Sequence, residues 1–270
     1  MRRVTYTLLI TMAVTLLCGC GGYDKLLKGT DYDAKYEAAV KYFEEERYTR
    51  ARQLFENLTL YYRGREHAED INWFYGKSLQ ESGNYYLAAY QFKVFTKRYP
   101  YSPRAEEAAF LMAYCQYMDS PAHTLDQTIT KDAISDLEQF ASHYPYSTHI
   151  PEVNTYLDEL RNKLMQKDYE IAMGYYTTES YRAAVVALGN FLNNYPDSPH
   201  REEAMYYIIK SGYEYAVNSR EDKMKERLQQ VVNNFDKFAT TFKDSKHMSD
   251  CQKIYNDCKA RLADLESATI

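Results

Sequence analysis

Glycine is scarce, with 10 residues in a chain of 270. Period-two alternation of apolar and polar residues is absent as well, so the sequence gives no sign of a strand-rich fold. Runs of basic residues are missing: 33 Lys and Arg stand against 38 Asp and Glu with no basic stripe, which excludes nucleic acid as an expected partner. Beyond the N-terminal segment no apolar stretch is long enough to cross a bilayer. Catalytic signatures are missing too, with no GxSxG, P-loop or GxGxxG. The histidines, His67, His123, His143, His149, His200 and His247, form no HExxH and no close Cys–His set. No metal, cofactor or enzymatic activity is therefore expected. Asp31-Tyr32-Asp33 lacks the glycine and distal glutamate of a calcium loop and reads as a helix cap. Three cysteines lie outside the N-terminal segment. Cys251 and Cys258 are seven apart in a helical pattern, about 10 Å along the axis, beyond the roughly 7 Å that a disulfide spans. Cys115 reads as a small buried apolar residue.

What is present begins at the N-terminus. Arg2-Arg3, the apolar run Val4–Leu17 and the small Gly19 form a secretory signal pattern, expected to cover residues 1–19. Leu17-Cys18-Gly19-Cys20 resembles the bacterial lipobox, with Cys20 as the modified residue; Cys18 fits less well, because Leu17 would then stand where a small residue is needed. The resemblance implies acyl chains on Cys20, and two or more such chains anchor a protein stably. Gly21 in place of aspartate implies the outer membrane by the sorting pattern of enteric bacteria. Removing Arg2 and Arg3 from the 33 basic residues leaves 31 against 38 acidic, a formal charge of −7. Residues 20–31 are expected as a lipidated tether reaching roughly 35–40 Å when extended.

From Tyr32 onward the pattern is helical, and it repeats. An anchor n is followed by small or apolar residues at n+3, n+7 and n+10 and an aromatic at n+14, all on one helix face. Tyr48 leads to Ala51, Phe55, Leu58 and Tyr62; Tyr85 leads to Ala88, Phe92, Phe95 and Tyr99. Thr130 leads to Ala133, Leu137, Phe140 and Tyr144; Tyr181 leads to Ala184, Leu188, Phe191 and Tyr195; Leu228 leads to Val231, Phe235, Phe238 and Phe242. A small residue nine positions before the anchor, Ala39, Gly76 or Ala172, marks a preceding helix that approaches closely. This predicts helix pairs 32–46 with 48–61, 66–82 with 85–98, 103–118 with 129–143, 152–178 with 181–194 and 200–218 with 223–241, and a capping helix at 247–266. Tyr195-Pro196 forces a stop, and Ser198 is expected to cap the next helix with Pro199 in its first turn.

The pattern resembles the tetratricopeptide repeat, a helix–turn–helix unit of about 34 residues, so the fold class is an all-α superhelix of five pairs plus a cap. The anchor spacings of 37, 45, 51 and 47 exceed that period because of the insertion at 119–127 and longer helices. In that family the first helix of each pair lines the inner groove. The resemblance then places Tyr36, Val40 and Phe43 inward from the first pair and Trp73, Lys77 and Gln80 from the second. A second reading of the same residues, with Phe43 and Trp73 packing between helices, stands equal to it.

Lys167–Ala187, KDYEIAMGYYTTESYRAAVVA, running into Asn194-Tyr195-Pro196-Asp197-Ser198, closely resembles the BamD family of outer membrane assembly lipoproteins, as do the lipobox and the five repeats together. The resemblance implies a non-catalytic, lipid-anchored protein that faces the periplasm. Its implied partners are unfolded outer membrane barrel proteins, at an N-terminal half (32–128), and a BamA-like barrel insertase, at a C-terminal half (129–270). Residues around Arg201–Asn218 and the last helix are the expected interface, with Arg201, Glu202, Tyr206, Lys210 and Tyr213 as the candidates; the resemblance itself fixes no contact there. A periplasmic scaffold of envelope or division complexes, or a glycan-binding lipoprotein using exposed aromatics, are the alternative functions. The tail after residue 245 and the insertion near 119–128 differ from the enteric pattern.

Overall fold

The computed structural model describes residues 20–267; the expected signal segment 1–19 lies outside the described residues. Every regular element among them is an α-helix. In chain order these are α1 (Cys20–Lys28), α2 (Tyr32–Glu44), α3 (Tyr48–Tyr61), α4 (Ala68–Glu81), α5 (Tyr85–Arg98), α6 (Ala105–Asp119), α7 (Thr128–His143), α8 (Ile150–Thr177), α9 (Tyr181–Asn194), α10 (Arg201–Val217), α11 (Glu221–Thr241) and α12 (Met248–Ser267). Neighbours in sequence pack on one another from α2 to α7 and again from α9 to α12. This nearest-neighbour packing is that of a helical repeat array, the tetratricopeptide type.

The offset rule names the core. All residues at n+3, n+7 and n+10 are buried in all five copies, from Ala51, Phe55 and Leu58 to Val231, Phe235 and Phe238. The aromatic at n+14 follows the last helical residue, and its N–H donates to the carbonyl four residues back, as Tyr195 does to Phe191 O at 2.9 Å. Ala39 and Ala172 are buried between paired helices. At Gly76 the approach is closest: a Cβ there would lie 2.9 Å from Phe92 Cε1, and the Phe92 ring is fully buried. Gly189 in α9 has open space instead. Gly76→Ala should therefore lower stability by about 1–2 kcal/mol, overpacking outweighing the helix-propensity gain. Gly189→Ala should raise it by up to about 1 kcal/mol, and urea unfolding of both variants checks the contrast.

Two expectations are corrected. Residues 20–31 are not an extended tether. Tyr23, Leu26 and Leu27, spaced three and four along α1, lay one apolar face on the first repeat's core. Ser198 does not cap α10. Its Oγ accepts from His200 N at 3.1 Å while Arg201 N donates to Ser198 O at 3.0 Å, so the serine closes a tight turn and the helix starts at Arg201. Ser102, Ser147 and Ser245 make the same bond two residues ahead, to Arg104, His149 and His247. The Asp31 cap forms as expected, accepting from Ala34 N at 3.0 Å.

The chain forms two compact units. One holds the described residues up to Pro121 with Asp126–Leu160; the other holds Ala122–Leu125 with the described residues from Arg161 on. The division falls inside α8. Val153, Leu157 and Leu160 belong to the core of the first unit, and Tyr169 and Ala172 to that of the second.

Candidate functional site

The candidate groove of the first unit is built from the outward remainder of α2 and α4. Its residues all lie half-buried. Tyr36, Val40, Phe43 and Trp73 pack on the core. Phe43 meets Phe74 at 4.9 Å and Tyr48 at 5.5 Å between ring centroids, both edge-on. Trp73 meets Phe92 at 5.9 Å and Phe95 at 5.7 Å, with the Arg104 guanidinium over its ring at 5.5 Å. Packing thus uses much of Phe43 and Trp73. Lys77 and Gln80 are brought together, Lys77 Nζ donating to Gln80 Oε1 at 3.2 Å. The Lys77 charge also has Glu81 at 3.6 Å, with the lysine side chain 21% exposed.

A device that the sequence reading passed over runs through both units. The residue at n+19 is His67, Arg104, His149, His200 and His247 in the successive copies. Each covers an aromatic ring of the preceding repeat. His67 stacks on Tyr36 (4.5 Å, 24°), His149 on Phe110 (3.9 Å, 10°), His200 on Tyr169 (4.2 Å, 10°) and His247 on Tyr206 (4.0 Å, 16°); Arg104 takes the place on Trp73. In three of the five copies the cover also reaches a polar group three residues before the ring. Arg104 Nη1 donates to Asp70 Oδ1 at 2.6 Å, His200 Nε2 lies 3.1 Å from Gln166 Oε1, and His149 Nε2 lies 3.8 Å from Glu107 Oε2. Each stack joins the start of one helix pair to the pair before it, at about 0.5–1.5 kcal/mol. The signal was in the sequence: four of the six histidines share one offset. Tyr36, Trp73 and Tyr206 hold equivalent places in this ladder, and the covered ring face is closed to a ligand.

The second candidate set lies on α10 and mostly turns toward α12. Tyr206 is 7% exposed, and its hydroxyl donates to Asp250 Oδ2 at 2.8 Å. Glu202 Oε1 accepts from Ser245 Oγ at 2.7 Å. Tyr213 donates to Asp257 Oδ2 at 2.6 Å, and Arg261 Nε reaches the same oxygen at 2.6 Å. The Tyr213 and Arg261 bonds hold the Asp257 carboxyl below its ordinary range. Arg201 Nη1 donates to Pro196 O at 2.8 Å. Lys210 lies over the rings of Tyr206 (5.3 Å) and Tyr176 (5.8 Å). Three of these five side chains therefore dock the last helix and the turn before it onto α10. A groove of about 600 Å³ in the same unit is lined instead by Tyr181, Arg182, Val186, Glu214 and Tyr215 among others, where α9 begins and α10 ends.

Among the described residues no group of three or more His, Cys, Asp or Glu could hold a metal ion, and no helix is long and apolar enough to cross a membrane. Cys115, Cys251 and Cys258 are buried thiols, pushed up by burial to about 12, about 11 and about 12.

The sequence model of a family described as YfiO, outer membrane lipoprotein, matches residues 30–187 and 170–270. A protein of Caulobacter vibrioides named outer membrane protein assembly factor BamD is 22% identical over 124 residues, covering 46% of this chain and 41% of the relative. The protein of the same name from Buchnera aphidicola is 28% identical over 88 residues, covering 33% of this chain and 36% of the relative. The matches thus span about two-fifths of those relatives. Among solved structures, the chain is similar to the TPR2AB-domain:pHSP90 complex of yeast Sti1, at 10% identity and a TM-score of 0.38, covering 86% of this chain and 99% of that one.

Proposed function

Because the chain belongs to the YfiO family of outer membrane lipoproteins, we propose that it is a non-catalytic subunit of the machinery that assembles β-barrel proteins into that membrane. The carrying observation is the family match, which runs through α2 to α12 and so through both units; both named relatives are assembly factors. In this reading Cys20 carries the lipid anchor, the body faces the periplasm, and the two units serve different partners.

The first unit receives unfolded barrel segments. Such a segment offers free backbone groups and alternating side chains. The exposed remainder of Tyr36, Val40 and Phe43, with Trp73, Lys77 and Gln80, offers apolar edges beside polar tips. The ladder narrows this surface. Ring faces covered by His67 and Arg104 contribute through their edges, which leaves Lys77 and Gln80 as the polar contacts.

The second unit binds a BamA-like insertase. With Glu202, Tyr206 and Tyr213 committed to internal bonds, Arg201 and Lys210 supply what the α10 candidate surface offers. The adjoining groove at Tyr181, Val186 and Tyr215 extends it.

Affinity capture from detergent-solubilised envelopes tests the main reading: the barrel insertase is expected in the eluate, and its absence sinks it. For the groove, Lys77→Glu puts a carboxylate where a barrel C-terminus would arrive. Crosslinking to barrel C-terminal peptides should fall about tenfold or more, as like charges in contact cost several kcal/mol. Unchanged crosslinking would remove Lys77 from the site.

A further inference from the structure

We propose that α1 fixes how the first unit meets the membrane: the turn between α2 and α3, Glu45–Arg47, lies against a zwitterionic lipid surface, held there by the acyl chains on Cys20. The proposal rests on the reading of Cys20 as the lipidated residue. It goes beyond that reading by replacing a slack tether with a rigid mount.

Both ends of α1 are held. At its start, Tyr23 is 8% exposed, and its hydroxyl lies 2.8 Å from Gln53 Oε1 and 3.0 Å from Arg50 O. The Tyr23 ring meets Tyr42 edge-on at 5.6 Å and lies under the Arg50 guanidinium at 5.1 Å. At its end, Lys35 Nζ donates to Leu27 O and Gly29 O, each at 3.0 Å, and the lysine is only 2% exposed. A buried ammonium on the last carbonyls of a helix satisfies orphan acceptors and complements the negative end of the helix dipole.

The register sets the polarity. Lys35, in the first turn of α2, holds the end of α1; Tyr42, in the last turn of α2, holds its start. The two helices therefore run antiparallel. Cys20 lies three residues before Tyr23, about 4.5 Å further along the axis, level with the end of α2. A lipid anchor at this level of the helix brings the Glu45–Arg47 edge nearest the membrane. The opposite edge, where α3 gives way to α4, stands about 20 Å away, the length of a 13-residue helix. The equivalent turns of the next two repeats carry Tyr101 and Tyr146, each 98% exposed. They face away from the lipid. At the near edge the exposed Glu44, Glu45 and Glu46 stand with the exposed Lys41 and Arg47, both paired to Glu45, so the edge is close to neutral and a zwitterionic headgroup layer fits it.

The test uses the acylated full-length protein in phosphatidylethanolamine–phosphatidylcholine vesicles containing a headgroup spin-labelled lipid. Thiol-reactive fluorophores are placed by Glu45→Cys or Tyr101→Cys; the buried native thiols stay unlabelled. The label at position 45 should lose most of its fluorescence and the label at 101 little. Adding Tyr23→Ala with Lys35→Ala should abolish that contrast while the protein stays on the vesicles. Equal quenching at both positions with α1 intact overturns the mount. The mass of the N-terminal peptide separates the two ideas: acyl chains present with equal quenching refute the orientation alone, and acyl chains absent refute the lipidation beneath it.

Discussion

Tyr206→Ala is expected to release α12 and open two inert thiols to labelling. The ring is buried, stacks on His247 at 4.0 Å and 16°, touches Tyr207 at 5.0 Å, and its hydroxyl bonds Asp250 at 2.8 Å. Truncating so buried an aromatic costs about 3–5 kcal/mol. The loss is local to the seam between α10 and α12, which the Tyr213–Asp257–Arg261 cluster and the Ser245–Glu202 bond complete. Cys251 and Cys258 lie buried in that unit's core, with thiols that burial pushes to about 11 and about 12, so few thiolates exist at pH 8. In the variant both should react with a thiol reagent about a hundredfold faster or more, since each 1.4 kcal/mol of easier opening is about tenfold. Cys115, buried in the first unit, is the internal control and should not change. Tyr206→Phe keeps the stack and loses the hydroxyl's bonds to Asp250 and Lys210, about 1.5–3 kcal/mol for a bond to a charged group. Unaltered labelling of Cys251 and Cys258 in Tyr206→Ala would refute the docking role.

The second large effect is expected at Lys35. An ammonium 2% exposed is costly to bury unless its donors are used. Here two carbonyls take them, Leu27 O and Gly29 O, and the Tyr32 ring lies 5.4 Å away. Lys35→Met keeps the apolar stem and removes the charge, leaving both carbonyls without their donor. The loss should be about 3 kcal/mol, or about 6–12 °C in Tm for a unit of this size. Trypsin cleavage at Lys28 should quicken, because α1 no longer stays on the first repeat. A Tm and cleavage rate matching the unsubstituted protein would show that α1 is held by Tyr23 and its apolar face alone.

Much of this fold was legible in the sequence. Residues 48–61, 85–98 and 181–194 are helices with the bounds that the repeat pattern predicts, because local features set them. A proline follows Tyr99 and Tyr195 and forbids continuation, and the face at n+3, n+7 and n+10 is apolar in every copy. The helical state of residues 20–28 was less legible. Tyr23, Leu26 and Leu27 carry the right spacing, but so short a helix forms only when its face is covered.

The candidate sites were legible as residue types and not as contacts. Tyr36, Trp73 and Tyr206 look alike in sequence to any exposed aromatic of a groove. Their stacking partners stand 31, 31 and 41 residues later, outside any local window. Glu202 and Tyr213 likewise read as surface residues of an amphipathic helix until the turn before α12 supplies Ser245 and α12 supplies Asp257 and Arg261.

By itself the sequence determined the helices from Tyr32 on, the repeat, the core positions and the family resemblance, because these follow from periodicity and backbone restrictions acting within a few residues. Only the tertiary structure decided which aromatics are covered, which acids are already bonded and that α1 is mounted on the first repeat. Those outcomes depend on which side chains of distant helices arrive at one place, and local spacing carries no record of that.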